Sequence, residues 1–204
     1  MKIKICGLTR LEDAQLASDL GADFIGFIFY EKSPRYNSQE NFCRVLDKYK
    51  GQAKPVAVFV NKTPDKILKF AKVTGITNIQ LHGEETQEEI DYLKSNKLKV
   101  IKAVKIKDVN SLKETGNFKS CRILLDTWHP SLKGGVGKTF DWNLISSSPS
   151  LLNKSMVAGG FNENNIKDFL TNFSPWGIDV SSGIEESPGI KNHKKMRNFF
   201  NLLK

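Results

Sequence analysis

A chain of 204 residues is long enough for one domain with a sizeable core. Lys and Arg outnumber Asp and Glu by 31 to 22, giving a net charge of +9, but the charges are dispersed and no long basic run interleaves with aromatics. That pattern argues for lysines on solvated helix faces and against a nucleic-acid partner. Cysteines at 6, 43 and 121 are odd in number and too widely spaced for a disulfide framework or a zinc site, and there is neither an apolar targeting core nor a stretch able to span a bilayer. A cytoplasmic protein without a membrane partner is the expectation.

The first apolar run, residues 3–6, ends on Cys6 and passes at once into the turn Gly7-Leu8-Thr9. A thiol ending the first strand points into the mouth of the sheet, where it is either buried filler or a nucleophile or base. Further runs follow at 24–29, 55–60, 78–81, 100–104, 123–126, 155–158 and 177–180. They are too short and too apolar for half-exposed antiparallel strands. Helical patterns alternate with them: Phe42, Val45, Leu46 and Tyr49, then Ile166, Phe169, Leu170 and Phe173, then Met196, Phe199, Phe200 and Leu203. Thr63-Pro64 marks one helix start, and Asn162 or Asn164 is expected to cap another. The sixth run ends on Asp126, so a carboxylate and the Cys6 thiol lie at the same end of one sheet, as an acid–base pair would. Residues 128–140 contain Pro130, Gly134, Gly135 and Gly137 and read as a long loop. The spacing of Gly134-Gly135-Val136-Gly137-Lys138-Thr139 is wrong for a nucleotide P-loop, which leaves a flexible loop with Lys138 reaching an anion.

Eight strand–helix repeats in this length predict an α/β fold, a single-domain (β/α)8 TIM barrel occupying residues 1–204. A doubly wound open sheet would want a glycine-rich fingerprint after the first strand, and Gly7-Leu8-Thr9-Arg10 is not one. In a barrel the functional residues stand where strands end, which selects Cys6, Arg35, Gln80, His82, Asp126, Gly159, Gly160, Asp179, Ser181 and Ser182. Gly159-Gly160 and Ser181-Ser182 follow strands seven and eight, the loops with which barrels commonly hold phosphate. Lys4 shares the face of Cys6 one layer below it. Because a buried lysine needs a partner, Asp179 on the neighbouring eighth strand is expected to supply one. His82 stands at the rim, within reach of a substrate, whereas His129 and His193 look incidental. No His, Asp and Glu cluster has metal-ligand spacing, so no metal or cofactor is expected and a metal-dependent phosphosugar epimerase is the weaker enzyme reading.

These residues carry a resemblance. Lys4-Ile5-Cys6-Gly7-Leu8-Thr9, Ser33-Pro34-Arg35-Tyr36, Gln80-Leu81-His82-Gly83, Leu125-Asp126-Thr127, Gly137-Lys138-Thr139-Phe140-Asp141-Trp142, Ala158-Gly159-Gly160 and the segment from Gly177 to Glu185 occur in that order. Together they make the chain resemble the phosphoribosylanthranilate isomerases of tryptophan biosynthesis. The resemblance implies a cofactor-free Amadori rearrangement of N-(5-phosphoribosyl)anthranilate to 1-(2-carboxyphenylamino)-1-deoxyribulose 5-phosphate. It implies Cys6 as general base, Asp126 as general acid and Arg35 at the anthranilate carboxylate, so the expected partner is a small phosphosugar–anthranilate molecule. Glu31, Asn37 and Val136 depart from the family pattern, the last at one loop contact. The residue types suit this chemistry: a carboxylic acid delivers a proton to the ring oxygen, and a thiolate favoured by nearby positive charge removes the C2′ proton. A non-catalytic phosphosugar-binding barrel is the alternative, but it would need neither Cys6 nor Asp126.

Overall fold

The computed structural model describes residues 1–127, 143–146 and 148–204. Eight parallel strands close in sequential order into a barrel: β1 (Lys2–Ile5), β2 (Phe24–Ile28), β3 (Lys54–Phe59), β4 (Asn78–Leu81), β5 (Lys99–Ile106), β6 (Arg122–Thr127), β7 (Met156–Ala158) and β8 (Gly177–Val180). Closure is made by β1 against β8, with Lys4 in register with Asp179. Each predicted strand is present, with its ends at the expected residues or displaced by at most two. Cys6 stands just past β1, yet its N–H donates to the Val180 carbonyl at 2.8 Å and so continues the ladder.

The helices that follow the first five strands are α1 (Leu11–Asp19), α2 (Gln39–Lys48), α3 (Pro64–Thr74), α4 (Gln87–Ser95) and α5 (Val109–Glu114). Two short turns of helix, α6 (Asn143–Ser146) and α7 (Pro149–Leu152), precede β7, and α8 (Ile166–Asn172) and α9 (His193–Asn201) close the outer layer. Helix α3 begins as its sequence dictates, with Thr63 flanking Pro64, and ends on Gly75 in the left-handed region at φ 73°. The expected cap by Asn162 or Asn164 is not what forms. Helix α8 starts at Ile166 and has no side-chain cap. The side-chain oxygens that would cap are instead spent within the loop: Asn162 Oδ1 accepts from the Asn164 amide at 2.8 Å and Asn165 Oδ1 from the Asn162 amide at 2.9 Å. A turn that binds its own loop competes with the helix for the same side chains. The loop expected at 128–140, with Lys138, Val136 and His129, lies outside the described residues.

Strand alternation splits the apolar residues between two cores. The smaller fills the barrel and is built on Val56, Ile101, Ala103, Leu124 and Met156. The larger lies between the barrel and the helices, where Phe27, Phe29, Phe42, Phe59 and Phe70 form an aromatic cluster with Phe29 and Phe70 centroids 4.5 Å apart. The barrel interior is thus packed up to a fixed level. One element was not anticipated: a hairpin between β8 and α9, formed by β9 (Glu185–Ser187) and β10 (Ile190–Lys191) and turned at Gly189.

Candidate active site

Above the interior core, at the ends of the strands, lies a cavity of about 250 Å³. Every strand-end residue selected from the sequence lines it, together with Ile28, Val58, Ala158 and Phe161. Cys6 follows β1 and Asp126 belongs to β6, three strands away around the closed barrel, so the thiol and the carboxylate stand on opposite walls.

Beneath Cys6 the expected ion pair is present. Lys4 is fully buried, and its Nζ donates to Asp179 Oδ2 at 2.8 Å. Room for it comes from β2. A Cβ on Gly26 would stand 2.9 Å from the Cys6 sulfur and 3.1 Å from Lys4 Nζ, so only glycine lets both side chains share this level of the barrel. Burial works against the Lys4 charge, but Asp179 and Cys6 outweigh it and hold the ammonium above its ordinary value. For Cys6 the balance runs the other way. Burial pushes the thiol up, and Lys4 and, more weakly, Lys191 only partly offset it. The positive charge expected to favour the thiolate is therefore in place, but desolvation is the larger effect. Burial likewise raises Asp179 against the pull of Lys4. Its second oxygen, Oδ1, is buried and has no hydrogen-bond partner among the described residues, which leaves one acceptor facing the cavity.

On the opposite wall Asp126 is paired. His82 Nε2 lies 2.9 Å from Asp126 Oδ2, and the Gln80 amide nitrogen lies 3.4 Å from His82 Nδ1. An amide NH2 can only donate, so Nδ1 accepts, and the ring of a neutral His82 carries its hydrogen on Nε2, donating to the carboxylate. The loop bearing His82 is itself pinned. Glu85 accepts from the Gly83 and Asn61 amides and from the buried Lys102 ammonium at 2.6 Å. Sequence alone allowed His82 to be a rim contact; its place beside Asp126 depends on how β4 and β6 are set around the barrel.

The third wall is built from the loops after β7 and β8. Gly159 and Gly160 adopt φ of 124° and 71°, conformations that L side chains rarely take. The two loops touch closely: a Cβ on Gly183 would overlap the Phe161 carbonyl. Ser181 and Ser182 open the single 3₁₀ turn Ser182–Ile184. Backbone amides at two adjoining loops suit an anion.

Arg35 meets a partner the sequence did not disclose. Its Nε donates to both oxygens of Glu185, at 2.9 and 3.1 Å, and its Nη2 donates to Oε2 at 2.6 Å. Burial alone would raise the Glu185 carboxyl, but Arg35 and Lys191 hold it below the ordinary value. Lys191, fully buried, donates to Glu185 Oε1 at 2.8 Å and to the Ser181 carbonyl at 3.1 Å. His193, which looked incidental, is also engaged. Its Nε2 pairs at 2.8 Å with buried Asp13, which also accepts two bonds from Arg10 and one from the Lys191 amide. Nothing in the local sequence of residues 185–193 points to these partners.

Comparison with known proteins agrees with this geometry. Residues 3–202 match the family model described as N-(5'phosphoribosyl)anthranilate (PRA) isomerase. The chain is 37% identical over 204 residues to N-(5'-phosphoribosyl)anthranilate isomerase of Rubrobacter xylanophilus, covering 100% of this chain and 98% of that protein. It superposes on the crystal structure of phosphoribosyl anthranilate isomerase from Thermotoga maritima with a TM-score of 0.91 at 39% identity, covering 99% of this chain and 98% of that one. A phosphoribosyl anthranilate isomerase solved in complex with reduced 1-(o-carboxyphenylamino)-1-deoxyribulose 5-phosphate matches with a TM-score of 0.87 at 35% identity, covering 98% and 97%. With a closed eight-stranded barrel, a thiol facing a carboxylate across its mouth, and a family match over nearly its whole length, the chain belongs to the N-(5'-phosphoribosyl)anthranilate isomerase family.

Proposed function

We propose that this chain isomerises N-(5'-phosphoribosyl)anthranilate to 1-(2-carboxyphenylamino)-1-deoxyribulose 5-phosphate with Asp126 as acid and Cys6 as base. The activity is that of its family and belongs to tryptophan biosynthesis. The assignment of roles rests on one observation: the only two groups needed for the proton transfers face each other across one cavity.

In this reading Asp126 delivers a proton to the ring oxygen, and the C1′–O bond breaks as the anilino nitrogen's lone pair forms the iminium. The C2′ proton becomes acidic, and the Cys6 thiolate removes it from the other face. The electron pair moves toward nitrogen, and the resulting enolamine tautomerises to the aminoketose, so product and substrate have the same atoms. His82 donates to Asp126 and stabilises the carboxylate left after proton transfer, while Gln80 holds the His82 tautomer. Asp179 Oδ1 accepts a sugar hydroxyl. Gly159, Gly160, Ser181 and Ser182 hold the phosphate, and Arg35 takes the anthranilate carboxylate. One catalytic domain over residues 1–204, working in the cytoplasm, completes the proposal; it is supported by the family match to 3–202 and the biosynthetic role of the family.

The test is turnover of the anthranilate substrate, followed by fluorescence in the presence of a chelator, for the wild type and Asp126→Asn. The wild type should consume substrate without metal. Asp126→Asn should lose at least about 10²-fold in kcat, the share of a positioned general acid, while product binding survives. Loss of binding with kcat kept at saturation would make Asp126 a binding residue instead.

A further inference from the structure

We propose that Glu185 is a positioning residue for Arg35: it occupies one edge of the guanidinium so that only the other edge faces the substrate. A guanidinium has two edges able to grip a carboxylate, one formed by Nε and an Nη, the other by the two Nη nitrogens. Here the Nε/Nη2 edge is filled by Glu185 through three bonds of 2.6–3.1 Å. Nη1 makes no hydrogen bond among the described residues, and Arg35 lines the cavity. The unfilled edge is thus the one presented to a ligand.

Glu185 is in turn unable to rotate away. Its Oε1 also accepts from Lys191 Nζ at 2.8 Å and from the Gly189 amide at 3.3 Å, within the β9–β10 hairpin. The hairpin turn is fastened from the opposite side by the Thr9 hydroxyl, which donates to the Gly189 carbonyl at 2.6 Å. Arg35 reaches the site from the loop after β2, so without this brace its long side chain would sample many rotamers. Two cations, Arg35 and Lys191, face the one Glu185 carboxylate, which leaves a net positive charge for an incoming anion.

This inference rests on Arg35 being the site of the ring carboxylate, and the experiment separates the two claims. The probes are two reduced product analogues, one with the ortho carboxylate on the ring and one without it, titrated by calorimetry. Wild type should bind the carboxylated analogue more tightly. Glu185→Gln should weaken that analogue by about tenfold, the size of one misplaced charge-assisted hydrogen bond, and leave the other unchanged. Glu185→Asp keeps the charge but shortens the reach; it should shift the carboxylated analogue in the same direction and serves if the glutamine variant does not fold. Equal weakening of both analogues would overturn the proposal, because Glu185 would then only support the fold. Wild type that does not distinguish the analogues would instead overturn the role of Arg35.

Discussion

Among single side chains, Cys6 presents the sharpest tension. In the proposed role of base it must lose its proton, yet burial holds this thiol above its ordinary value of 9.0 and the neighbouring cations offset only part of the cost. Cys6 alkylation, measured with Cys43 and Cys121 changed to Ala, should therefore rise with pH through a midpoint above 9.0. Lys4→Met keeps the side chain's length and removes the charge, so the midpoint should move further up. Superimposable profiles would show that Lys4 does not tune the thiol. Bound substrate brings its phosphate and carboxylate, so in the proposed mechanism the thiolate forms against two more anionic groups. The cations Lys4, Lys191 and Arg35 around Cys6 are the means the fold provides.

The loops and strand ends owe their positions to glycine at two kinds of place. In β2, Gly26 is absent side-chain volume: Gly26→Ala would put a methyl against the Cys6 sulfur. The methyl also crowds the buried Lys4 ammonium, so stability should fall by about 1–3 kcal/mol together with kcat, and an unaltered kcat would mean that Cys6 has room to move aside. In the loop after β7, Gly160 is a conformation, with φ of 71°. Gly160→Asp adds both strain and a negative charge beside the loops proposed to hold phosphate. Inorganic phosphate or a product analogue should bind at least about tenfold more weakly, the cost of about 1.4 kcal/mol. Calorimetric titrations indistinguishable from wild type would remove this loop from the phosphate site.

For the molecule as a whole, the buried ion pairs join distant parts of the chain. Lys4–Asp179 crosses the seam where the first strand meets the last, 175 residues apart. Replacing both members by apolar residues is often harmless, but removing one leaves a buried charge, so Lys4→Met should cost about 3–5 kcal/mol by denaturant unfolding unless Asp179 takes up a proton. Glu185 sets a pH limit of its own. Its folded value lies below the ordinary 4.5, so the native state binds this proton less readily than the unfolded chain. Its contribution to stability is complete above 4.5 and is lost as pH falls through the lower folded value. Melting temperatures recorded from about pH 7 down to pH 3 should fall less steeply for Glu185→Gln than for wild type. Parallel curves would mean that Glu185 does not govern the acid limb.

The barrel was legible in the chain because its signals are local. Short apolar runs between amphipathic segments specify buried parallel strands, and a Cys or Asp ending such a run must stand at the barrel's mouth. Even Lys4–Asp179 could be read, since alternation places Lys4 inward and closure makes the first and eighth strands neighbours. The partners of Arg35, His82 and His193 could not. Glu185, Asp126 and Asp13 lie 150, 44 and 180 positions from them, and no periodicity relates one to the other. Those pairings depend on the angle at which each loop leaves the closed barrel and on a hairpin whose strands are too short to show a pattern. The sequence thus carried the architecture and the two groups proposed to react, while folding in three dimensions chose which charges hold them in place, because a side chain's electrostatic partner is set by distance through space rather than along the chain.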